Sequence, residues 1–160
     1  MLGGDQMGRE SMTIKSARRR GDERGALVCL EAGIHVPFDV RSVIYIHSVP
    51  LHARRGCHAH YTLHQFIKCV AGAVTVSLTN LHGHTVVVTT SEESDGVYIP
   101  PMTWAEQYDH KPGTVVLVMS SEHYDESDYI RDWDTYAAML LSKPADKGDL
   151  AGLPRMNKIA

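Results

Sequence analysis

Apolar and polar residues alternate along the middle of the chain in short runs. Ala26–Leu30 (ALVCL), Val43–Val49 (VIYIHSV), Gln65–Val70 (QFIKCV), Ala73–Leu78 (AVTVSL), Val86–Thr90 (VVVTT), Val97–Ile99 and Val115–Met119 are each of strand length and rich in β-branched residues. His58–His60 begins a further run. Turn signals separate them at Pro37, Asn80–His84, Pro100–Pro101 and Lys111–Gly113. Asn80–His84 joins its flanking runs as a hairpin. Strands at intervals of about 8 to 12 residues predict an all-β sandwich or barrel. The long helices that a parallel α/β sheet needs between its strands are missing. Only Asp134–Leu141 (DTYAAMLL) has a helical pattern, with Tyr136, Met139 and Leu140 on one face. Residues 1–14, rich in Gly and polar residues, are expected to be a poorly ordered leader. Residues 142–160, with two prolines, two glycines and scattered charges, are expected to be a loosely attached tail. One domain, 15–141, lies between them.

Composition narrows the class. A length of 160 residues suits a single domain, and 43% hydrophobic with 22% charged residues is ordinary for a globular protein. Lys plus Arg number 16 against 19 Asp plus Glu, so the net charge of −3 supplies no global field for nucleic acid. No apolar stretch reaches the roughly 18 residues that suggest a membrane span. The N-terminal stretch lacks the apolar core of a secretory signal. Three cysteines, Cys29, Cys57 and Cys69, form no disulfide framework and point to a reducing, cytoplasmic setting.

The unusual count is ten histidines. In Arg54–Gln65 (RRGCHAHYTLHQ), His58 and His60 are two residues apart. On a strand both rings point to one face, with Cα atoms roughly 6–7 Å apart. Tyr45 and His47 likewise share a face of their own strand, and Gln65 follows a short turn from which it can reach the same cavity. Three readings of the His-x-His pair compete. The rings can be core-edge or surface histidines without chemistry. They can be metal ligands, but only two convergent ligands are countable where three or four are needed. They can be acid–base catalysts, because an imidazole pKa of roughly 6.5 suits proton transfer near neutrality.

Further motifs give a more specific reading. Asp22–Leu27 (DERGAL), Ile44–Tyr45–Ile46, Arg55–Gly56–x–His58–Ala59–His60, Gln65, Gly72, Ile99–Pro100–Pro101–x–x–Trp104 and Tyr124–Asp125–x–x–Asp128–Tyr129–Ile130–Arg131 occur in that order. Across about residues 22 to 136 the chain resembles the sugar 3,4-ketoisomerases of cupin type, a family that includes the C-terminal half of some bifunctional acyltransferase–isomerases. The resemblance implies an antiparallel jelly-roll barrel with a short C-terminal helix. It implies transfer of the ketone of a thymidine-diphosphate-linked 4-keto-6-deoxyhexose from C4 to C3, in deoxyaminosugar biosynthesis. It also implies catalysis by His58 and His60, no metal or other cofactor, and a homodimer. Two departures stand out: Cys57 fills the variable position of the motif, and Tyr61 follows it where a basic residue is common.

Substrate-binding candidates follow from the substrate's chemistry. A diphosphate favours the planar fork of arginine, so Arg55 is the first choice, with Arg41 and Arg54 behind it. Tyr45 is a candidate donor to sugar oxygens, Gln65 a candidate to orient a histidine or a sugar hydroxyl, and Trp104 a candidate to stack on a base or sugar, or else a buried barrel residue. Tyr124, Asp128 and Arg131 are expected to lock the C-terminal segment onto the barrel. The alternatives are a 3,5- or 5-epimerase on a similar substrate, a non-catalytic sugar-nucleotide-binding domain, and a metal-dependent cupin.

Overall fold

Alternation decides which way each strand faces. In Ala73–Thr79 (β7), Val74, Val76 and Leu78 are buried while the residues between them are half-exposed, the pattern of a sheet with one face on a core. The structure, a computed structural model, describes residues 14–15 and 18–142. Apart from Ile14 and Ser142, the expected leader and tail lie outside the described residues. The chain forms β1 (Ile14–Lys15), β2 (Arg18–Asp22), β3 (Gly25–Cys29), β4 (Ser42–His47), β5 (Arg55–His60), β6 (Gln65–Ala71), β7, β8 (Thr85–Ser91), β9 (Gly96–Ile99), β10 (Trp104–Tyr108), β11 (Val115–Ser120), β12 (Tyr129–Ile130) and α1 (Trp133–Ser142).

Two five-stranded antiparallel sheets result, in the orders β1-β9-β6-β11-β4 and β12-β5-β10-β7-β8, with β2–β3 a separate two-stranded ribbon. The eight strands β4 to β11 make the double-Greek-key pairing of a jelly roll, four in each sheet. The all-β class, the jelly roll and the single C-terminal helix agree with the sequence reading. The two sheets are not joined edge to edge into a closed barrel. Between them lies a core of Ile67, Cys69, Val74, Val76, Leu78, Val97, Ile99, Ala105, Val116 and Val118. Inward-facing residues of β4 and β5 line the open part of this space.

Two smaller clusters brace the outsides. Helix α1 packs Tyr136, Met139 and Leu140 against Trp104, Ala59 and Ile130 on the back of the β5 sheet. The Tyr136 hydroxyl donates to the Thr79 carbonyl at 2.6 Å and also reaches the Met102 carbonyl at 2.9 Å. It thus ties the helix to the ends of β7 and of the turn before β10. On the other sheet, Phe66, Tyr98 and Met119 are covered by Val36 and its neighbours.

Candidate active site

Both histidines of β5 face inward, and a bulge aims the first of them. His58 pairs with Ala105 and Gly56 with Glu106, so Cys57 is an extra residue with no partner across the ladder. Gly56 and Cys57 take φ of +75° and +55°. Glycine is required at the first position, because a Cβ there would stand 2.7 Å from the Ala105 carbonyl oxygen. The bulge turns Cys57 outward onto the helix-side cluster and leaves His58 and His60 together on the cavity side. Their rings meet edge to face with centroids 4.9 Å apart, and Tyr129 lies against both, at 4.9 Å and 4.2 Å.

Hydrogen bonds set the tautomers. His58 Nδ1 is 3.0 Å from the Gly56 carbonyl oxygen, which can only accept, so the proton sits on Nδ1. His60 Nδ1 is 3.1 Å from an Asp128 carboxylate oxygen. That carboxylate also accepts from the Thr62 amide and hydroxyl, both at 2.8 Å, and from the Leu63 amide at 3.2 Å. Donation from His60 Nδ1 leaves its Nε2 unprotonated, and that atom is buried with no protein partner. Burial, reinforced by the neighbouring His58, pulls the His60 pKa down to about 4, with Asp128 opposing the shift. Burial also lowers the pKa of His58, against the Gly56 bond. At neutral pH both rings are therefore uncharged imidazoles with their Nε2 atoms free to take a proton.

The cavity has two connected halves that share Ile44, Gln65 and Tyr129. One, of about 460 Å³, is lined by His60, Ser42, Ser120, Glu122 and the Tyr124–Tyr129 segment. The other, of about 410 Å³, holds His58, Gln107, Arg54, Arg55 and Arg131 against Ile46, Ile67 and Val118. Of its three arginines, Arg54 and Arg131 are engaged by carboxylates, which leaves Arg55 as the candidate for an anion. Arg131 lies 4.0 Å over the Tyr129 ring and forks onto Glu126 at 2.6 and 2.8 Å. Those contacts hold the Glu126 pKa down to about 2. Arg54 pairs with Glu106, which also accepts from Trp104 Nε1 at 3.0 Å.

The structure brings His58, His60, Arg55 and Gln65 together and separates the other candidates from them. Tyr45 is 68% exposed. On β4 the alternation turns Ile44 and Ile46 inward, so Tyr45 stacks on His47 outside, beside a different surface depression. Trp104 is buried among Trp133, Tyr136 and Ile130, so it is a brace for the helix and not a stacking platform. Arg41 is exposed at the rim, 3.7 Å from Glu122, and lines neither half. Sequence reasoning missed Asp128 and Tyr129 as members of the site. Both stood within the Tyr124–Arg131 motif, but only the pairing of β12 with β5 puts Tyr129 opposite His60. Among the described residues, no group of three or more His, Cys, Asp or Glu side chains is placed to hold a metal ion.

Comparison with known proteins adds a chemical context. Residues 10–141 match the family described as FdtA: WxcM-like, C-terminal. A curated relative, the TDP-4-oxo-6-deoxy-alpha-D-glucose-3,4-oxoisomerase of Aneurinibacillus thermoaerophilus, is 35% identical over 127 residues, covering 79% of this chain and 90% of the relative. The crystal structure of QdtA, a sugar 3,4-ketoisomerase from Thermoanaerobacterium thermosaccharolyticum in complex with TDP, superposes with a TM-score of 0.77 at 35% identity. That match covers 82% of this chain and 96% of that one. NovW, a 4-keto-6-deoxy sugar epimerase of Streptomyces spheroides, reaches a TM-score of 0.63 at 17% identity over 75% of this chain and 73% of its own, and shares the fold alone.

Proposed function

Because the chain belongs to the WxcM-like, C-terminal family, we infer that it is an isomerase that moves the ketone of a TDP-linked 4-keto-6-deoxyhexose from C4 to C3. The observation that carries the reading is the pair of neutral imidazoles, 4.9 Å apart in one cavity, each with Nδ1 engaged. The ketoisomerase relatives match at 35% identity and the epimerase at 17%, which favours this reaction over epimerisation.

The reaction is an internal redox exchange that needs only proton transfers. A base takes the proton from C3, next to the C4 carbonyl, and the electron pair moves onto the C4 oxygen to give an enediolate. The C3 hydroxyl then passes its proton to the C4 oxygen, a proton adds at C4, and the ketone stands at C3. His58 and His60 are the groups that take and return these protons. Asp128 holds His60 in the tautomer that the step needs. Tyr129, against both rings, is placed to donate to the oxygen that gains charge, in the role first given to Tyr45. Arg55 attracts the diphosphate, and Gln65 stands where the two halves meet. The three free thiols among the described residues fit a cytosolic enzyme. No described helix is long and apolar enough to cross a membrane. A homodimer accounts for the apolar residues left bare on two edge strands, Leu27 and Val28 on β3 and Val43 on β4.

The decisive experiment incubates the protein with TDP-4-keto-6-deoxyglucose in deuterated water and follows the sugar by NMR. The expected product carries its ketone at C3 with solvent deuterium at C4. A ketone that stays at C4 with exchange at C3 or C5 would indicate an epimerase, and no exchange at all a binding domain. His58→Asn and His60→Asn are each expected to cut turnover by roughly 10²–10⁴-fold with the fold intact.

A further inference from the structure

The cavity floor carries a polar group that the proton transfers do not use. Gln107 lies on the inward row of β10, in register with Arg55, and lines the arginine-rich half. It is only 5% exposed, and its Oε1 is buried with no hydrogen-bond partner. Across the ladder it faces Arg55 and Val76, and Ile46, Ile67 and Val118 line the same half; no hydrogen bond from any of them reaches Oε1. A buried amide acceptor left in this way is uncommon in a folded protein and calls for a donor from elsewhere.

The missing donor narrows what can bind. A diphosphate at neutral pH offers only acceptor oxygens, so it cannot satisfy Oε1. On a TDP-hexose the remaining donors are the sugar hydroxyls and the thymine N3–H. Position separates them. Gln107 is two residues along β10 from Ala105, the partner of His58, a distance of about 7 Å. A hexose with C3 and C4 at the two histidines extends over that distance, whereas thymine lies on the far side of the diphosphate. The apolar wall beside the amide suits the C6 methyl of a 6-deoxy sugar.

We propose that Gln107 is a sugar-binding residue that accepts a hydrogen bond from a hydroxyl of the substrate hexose and thereby sets the ring over His58 and His60. The proposal rests on the ketoisomerase reading. The bound sugar then supplies the donor that the buried acceptor lacks among the protein's own groups.

The test is Gln107→Met, which keeps the length of the side chain and removes both polar atoms. Three quantities are measured on variant and wild type: melting temperature without ligand, the dissociation constant for TDP, and KM and kcat for TDP-4-keto-6-deoxyglucose. Expected are an unchanged or raised melting temperature, TDP affinity within about twofold of wild type, and a loss in kcat/KM of about tenfold or more. Equal losses for TDP and the sugar nucleotide would place the contact at the nucleotide and overturn the proposal. Unchanged kinetics would also overturn it, as would a variant that melts well below wild type, which would mark a packing role. Wild-type protein that forms no 3-keto product would overturn the underlying reading and the sugar contact with it. Wild-type turnover matched by the variant would overturn the sugar contact alone.

Discussion

A histidine becomes a base at neutral pH when its surroundings refuse the charged form, and His60 meets that condition. Burial and His58 disfavour its cation, while Asp128 favours it only in part, so its pKa falls from 6.5 to about 4. The neutral base is therefore present at all pH values above that. The acidic limb of kcat/KM is expected below pH 6.5, because both histidines are shifted down, as a steady-state profile will show. The same shift links to stability: below the unfolded value of 6.5 the unfolded chain takes a proton that the folded ring resists, so stability falls as pH drops toward 4. Asp128→Asn removes the interaction that raises the pKa. It should lower turnover by about tenfold or more and push the acidic limb still lower, an effect that a purely structural role would not produce. The His-x-His spacing was legible in the sequence because strand periodicity alone puts alternate residues on one face. Asp128 was recognised there only as a lock, since 68 residues separate it from His60.

At the scale of the strand, β5 shows what periodicity leaves open. Gly56–Cys57 shifts the register by one residue, and without that shift His58 would not pair with Ala105 as it does. Gly56→Ala would force a side chain into the left-handed region and against the Ala105 carbonyl. The expected cost is about 1–3 kcal/mol in denaturant unfolding, with turnover reduced because His58 is re-aimed. A variant of wild-type stability and rate would show that the bulge does not position the ring. Strand β4 makes the converse point. Tyr45 and His47 do share a face, as the alternation required, but it is the outer one. Alternation says which residues go together and not which of two faces meets the core. Helix α1 was readable from Tyr136, Met139 and Leu140, and those residues make its contact.

For the whole molecule, the two sheets place chemistry at one edge of a sandwich whose interior is otherwise apolar. The arginines gather in one half of the cavity and the hydroxyl-bearing and acidic residues in the other, with one catalytic histidine of the proposed pair in each. The bare apolar residues of β3 and β4 predict a dimer by sedimentation. Leu27→Lys together with Val43→Lys is expected to shift it toward monomer, and a wild-type chain that sediments as a monomer at micromolar concentration would contradict the homodimer.

Local pattern determined the all-β class, most of the strands, the terminal helix and the paired histidines, because each depends on residues close in the chain. Tertiary structure decided the rest: the open sandwich in place of a closed barrel, the outward turn of Tyr45, the burial of Trp104 under the helix, and the reach of Asp128 and Gln107 to the site. These are contacts between strands far apart in sequence. Which partner a side chain meets there depends on sheet order, register and the extra residue of a bulge, and no single run of residues contains that information.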